Sequence, residues 1–103
     1  MAKIGTFRKS GDTYVGSIIT FALQARDVRI VPASQAQTGD QPSHRVLADG
    51  AELGAGWTRQ AQASRSYLRL KLDDPSFTAP LFANLVEDDA EDRFKLIWSR
   101  DDA

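Results

Sequence analysis

The chain of 103 residues contains no cysteine. Disulfides, thiolate catalysis and cysteine-ligated zinc or iron–sulfur sites are therefore excluded. Histidine occurs once, as His44. A lone histidine builds no metal centre, and a hydrolytic triad needs a nucleophile and an orienting acid beside it. Ser43 is adjacent, but neighbours on a strand point to opposite faces, so His44 reads as a surface or strand-edge residue. There is no Gly-x-Ser-x-Gly nucleophile elbow. The glycines of Gly50-Ala-Glu-Leu-Gly54-Ala-Gly56 lack the Gly-Lys-Ser/Thr of a phosphate cradle and precede no helix start. No apolar run approaches the ~20 residues of a membrane helix. The opening Met1-Ala-Lys-Ile-Gly5 has no apolar secretory core. These absences predict a cytoplasmic protein that is not an enzyme and has no cofactor, no metal, no membrane partner and no small-molecule substrate.

What is present is ordinary in amount and uneven in placement. Hydrophobic residues are 42% and charged residues 26%, a globular composition. A chain of this length folds as one domain, residues 1–103. The net charge of −1 hides a gradient. Seven of the 14 acids follow Val86, and the first 86 residues carry 10 basic against 7 acidic side chains. The acidic cluster Glu87–Asp92 reads as a solvated hairpin loop, because a calcium loop needs a glycine at its sharp turn.

The stretch Tyr67–Asp88 organises the rest. Leu68, Leu70 and Leu72 alternate with Tyr67, Arg69 and Lys71, a period of two that marks a strand with one apolar and one basic-aromatic face. Asp73-Asp74-Pro75-Ser76 ends it, and a second apolar run spans Leu81–Val86. Further strands are predicted at Ile4–Phe7, Thr13–Leu23, Ala25–Val31, His44–Ala48, Glu52–Arg59 and Arg93–Arg100. Gly16 suggests a bulge or a close backbone crossing, and Gly54 and Gly56 share a face on which something large lies close. Ala33–Ser43 reads as a polar surface loop. Only Ser34–Gln37 or Ala61–Ser66 suits a single helical turn. About eight short strands with frequent turn signals and no sustained helical period predict an all-β fold, a small antiparallel barrel or sandwich.

Two constellations could carry function. Asp73 and Asp74 could hold a cation or act as an acid–base pair, against the plainer reading that one of them caps the turn. No histidine or third carboxylate stands at a matching spacing. The stronger candidate is Trp57 and Arg59 with Tyr67, Arg69 and Lys71. If their strands pair as a hairpin, an indole, a phenol and three cations share one surface. Small β-barrels bind single-stranded nucleic acid in this way, stacking bases on aromatics while cations track phosphates. The overall charge counts against it, since such binders are usually basic. The alternative is a protein-interaction or self-assembling β module, a homo-oligomer included, that pairs an open sheet edge with a partner strand.

Several blocks are similar to a known family. They are Ile4-Gly5-Thr6-Phe7 with Tyr14-Val15-Gly16, Val28-Arg29-Ile30-Val31-Pro32, Arg45-Val46, and Gly54-Ala55-Gly56-Trp57. Tyr67 follows, with Lys71-Leu72-Asp73-Asp74-Pro75-Ser76-Phe77, Ala83-Asn84-Leu85 and Leu96-Ile97-Trp98-Ser99-Arg100. Over nearly its whole length the chain resembles the bacterial domain of unknown function 736. It departs at Ile18-Ile19-Thr20-Phe21, where the family more often has Arg-Thr-Leu. It departs again at Gln41-Pro42-Ser43-His44, where Ala-Pro-Asp-Tyr is usual, which favours packing over catalysis for His44. The resemblance implies a soluble bacterial protein, often carried on plasmids and mobile islands. It implies no activity, and it raises nucleic-acid binding only by association.

Overall fold

The computed structural model describes residues 2–33, 41–60, 65–88 and 92–98. They form eight strands: β1 Ala2–Ser10, β2 Thr13–Ile19, β3 Gln24–Pro32, β4 His44–Ala48, β5 Ala51–Gln60, β6 Ser66–Leu72, β7 Leu81–Glu87 and β8 Arg93–Trp98. Each pairs antiparallel with the next, and β1 pairs antiparallel with β8 to close a barrel. Of the two predicted architectures, the barrel is the one formed. The open edge invoked for partner-strand pairing does not exist, because every strand has a neighbour on both sides.

The period of two decides what fills the barrel. Leu68, Leu70 and Leu72 turn inward and are buried. They meet Phe7, Ile18, Val28, Ile30, Val46, Leu85 and Leu96 in one continuous core. Eight strands enclose an interior just wide enough for side chains to fill it. Closure also needs sharp local bends. Register shifts at Lys3/Gly5, Gly16/Ile18 and Val46/Leu47 supply them. A Cβ on Gly16 would collide with the Thr6 carbonyl oxygen and lie 2.8 Å from the Phe7 Cα. A Cβ on Gly54 would strike the Lys71 carbonyl oxygen. The crowding predicted at Gly16, Gly54 and Gly56 is therefore real, and at Gly56 the neighbour is the Leu70 side chain.

Some boundaries differ from expectation. β2 stops at Ile19 instead of reaching Leu23. There the Thr20 hydroxyl accepts hydrogen bonds from the amides of Ala22 and Leu23, and Thr20 N–H donates to the Leu23 carbonyl at 2.7 Å. This local turn competes with the ladder and leaves Phe21 fully exposed. The base of the Ala33–Ser43 loop is closed by Ala33 N–H donating to the Ser43 carbonyl at 2.9 Å. Residues 34–40, and with them the helical turn at Ser34–Gln37, lie outside the described residues. So do residues 61–64 of the second such turn, while Ser66 already belongs to β6. In the acidic hairpin, Asp88 N–H donates to the Arg93 carbonyl at 2.9 Å, and residues 89–91 lie outside the described residues.

Candidate nucleic-acid interface

β5 and β6 pair as the hairpin that the basic-aromatic surface required. Trp57 stands opposite Arg69, Arg59 opposite Tyr67, and Ala55 opposite Lys71. Because Leu68, Leu70 and Leu72 point inward, all five candidates lie on the outer wall. Arg59 and Lys71 are exposed, whereas Trp57, Tyr67 and Arg69 are half-buried among their neighbours. Arg69 is held in place. Its Nη1 donates to Asn84 Oδ1 at 3.1 Å, and its guanidinium lies 5.1 Å from the Phe82 ring centroid.

The wall continues beyond the predicted five. Phe82 stands opposite Lys71, Asn84 opposite Arg69, and Lys95 opposite Val86. Sequence reasoning missed Phe82 and Asn84 because Leu81–Val86 is a nearly unbroken apolar run whose phase is unreadable until β6 fixes its register, and Lys95 because only closure brings β8 beside β7. Charge separates by position. Among the described residues, eleven of the 12 cations lie in strands: Lys3, Arg8, Lys9, Arg26, Arg29, Arg45, Arg59, Arg69, Lys71, Arg93 and Lys95. Of the nine acids among the described residues only three do: Asp27, Glu52 and Glu87. Asp27 and Glu52 are engaged locally, with Arg29 at 3.5 Å and with Arg45 at 3.1 Å. Lys3 faces Asp88 at 4.0 Å. Among the described residues the strands are thus rich in cations, and most of the acids stand in the connections.

His44, expected as a surface or strand-edge residue, is half-buried at the first position of β4. It pairs with Gly56 at the start of β4 and turns inward at one mouth of the barrel. Its ring lies 6.3 Å from that of Tyr14, which meets Phe94 edge-on at 5.0 Å. Burial is the main cause that lowers its pKa below 6.5; Lys9 lowers it further and Asp12 partly opposes. Ser43 precedes the strand, so alternation does not part it from His44, and its Oγ lies 2.8 Å from His44 Nδ1. That hydroxyl is a clasp between strands. It accepts the Thr58 N–H at 3.1 Å and lies 3.0 Å from Thr58 Oγ1.

The carboxylate pair resolves as a turn cap. Asp74 accepts the Ser76 N–H at 2.9 Å and the Ser76 hydroxyl, and these bonds hold its pKa below the usual carboxylate range. Asp73 is exposed, and no cluster of three potential metal ligands occurs among the described residues.

These features define a small closed β-meander barrel with an apolar filling and a cationic, aromatic outer wall. The chain belongs to the DUF736 family of proteins of unknown function, which matches residues 3–101. No curated protein and no solved structure matches it. Among the described residues no helix is long and apolar enough to cross a membrane.

Proposed function

We propose that this protein is a non-enzymatic binding module for single-stranded nucleic acid, using the outer face of β5–β7. One observation carries the reading: the register sets Trp57 against Arg69 and Arg59 against Tyr67 on one open surface. Aromatic planes accept bases of any sequence, and the interleaved cations follow the phosphates. Phe82 and Lys95 extend the same surface. The bacterial, plasmid-borne setting implied by the family resemblance and the cytoplasmic location expected from the sequence suit such an accessory role.

A labelled oligothymidine titrated by anisotropy across a salt series tests it. If Arg59, Arg69 and Lys71 each neutralise one phosphate, log affinity falls against log salt with a slope of about −2. Arg69→Ala weakens binding and lowers that slope by about 1, irrespective of sequence. Trp57→Ala weakens binding about tenfold and leaves the slope unchanged, as loss of one stacked base does. Absence of binding to single-stranded DNA and RNA at low salt would overturn the reading. A protein ligand on the same face would then be the alternative.

A further inference from the structure

The barrel is full along most of its length and hollow at one mouth. A cavity of about 230 Å³ sits above Leu68 and Leu85, which form its floor. Tyr14, Phe94 and His44 make an aromatic wall. The inward alternation that is apolar lower down turns polar here at Lys9, Thr58 and Ser66, and Asp12 of the β1–β2 turn joins them at the rim. All four are exposed, so the mouth is open to solvent and presents polar groups around an apolar floor.

Size and chemistry narrow the occupant. The volume is well above the ~30 Å³ share of a single water. It is below the ~300–1,000 Å³ of pockets that take drug-sized ligands. One planar ring system fits that range. An apolar floor and aromatic wall favour stacking. A plain hydrocarbon would make no use of the rim's polar groups. A bare anion would meet the Asp12 carboxylate. A heteroaromatic ring whose edge carries both donors and acceptors meets all of them: Lys9 donates, Asp12 accepts, and the Thr58 and Ser66 hydroxyls do either. The Ser43 hydroxyl already engages His44 Nδ1, which leaves the far ring nitrogen for a ligand.

Tyr67 joins this cavity to the outer wall. It lines the mouth and also stands opposite Arg59 on the cationic face. We infer that the cavity receives one unstacked nucleobase from a strand whose backbone lies along β5–β7. This rests on the proposed nucleic-acid binding and adds where a base goes.

The test uses two probes on the full chain. Guanosine and adenosine monophosphates are titrated while the ring resonances of Tyr14, Phe94 and His44 are followed by NMR. Separately, an oligothymidine carrying one 2-aminopurine is followed by fluorescence. The inference expects shifts at those three rings and a fluorescence change on binding. Ser66→Phe, which fills the mouth, abolishes both and lowers oligonucleotide affinity about tenfold, leaving the salt slope intact. Phe94→Leu provides a second variant that removes part of the stacking wall and weakens both signals. Oligonucleotide binding with unmoved cavity resonances overturns this inference and spares the outer face. Mononucleotide shifts in the cavity without oligonucleotide binding support the cavity and overturn the outer-face reading.

Discussion

Gly54 has no room for one methyl group, because its Cα faces the Lys71 carbonyl and the Leu72 Cα across the β5–β6 ladder. Both neighbours are backbone, so neither can swing aside. Gly54→Ala is expected to cost about 1–3 kcal/mol, the usual range for overpacking. A lowered urea midpoint with unchanged slope checks it, and an unshifted midpoint would refute it. His44 gives a residue-scale pH dependence. Its folded pKa lies below the unfolded value near 6.5, chiefly through burial. The unfolded chain therefore binds more protons in that window, and stability rises with pH across it. The contribution is complete above pH 6.5 and is lost as pH falls toward the folded value. His44→Phe should flatten the stability profile between pH 7.5 and 5.5 relative to wild type. Parallel profiles would show that His44 contributes nothing to it. The single histidine and its absent partners were legible in the sequence. Its inward turn was not, because the first position of a strand takes its side from the register with β5.

At the scale of the element, β6 separates core from outer surface by side-chain parity. Leu70 is fully buried and Lys71 is exposed. Leu70→Ala should cost about 2–5 kcal/mol, transfer and cavity together. Lys71→Ala should stay within about 0.5 kcal/mol. Chemical denaturation of both variants checks this, and comparable losses would mean the two faces are not distinct. The alternation in β6 was plain in sequence because both faces have clear chemistry. β7 was not, because Leu-Phe-Ala-Asn-Leu-Val mixes apolar residues on both sides. Its outward Phe82 and Asn84 emerge only from the pairing of Leu68 with Leu85 and Leu70 with Ala83.

At the scale of the whole molecule, closure brings the ends of the described chain together, with Ala2 opposite Trp98. All the other strand pairings are between sequence neighbours. A permuted chain that joins these ends by a short flexible linker and opens at the exposed Gly11 turn keeps every strand pair. It is expected to retain the wild-type far-ultraviolet spectrum and a single cooperative transition. A spectrum lacking sheet, or two separate transitions, would show that the β1–β2 turn is essential.

The sequence by itself determined the all-β class, the number of strands and the residues that share a face in β6. Each follows from a local geometry of period two and from turn chemistry. Only the tertiary structure decided that the sheet closes, that no edge is free and that one mouth stays hollow. Those depend on the twist and stagger summed over eight strands, and no short stretch of chain contains that sum.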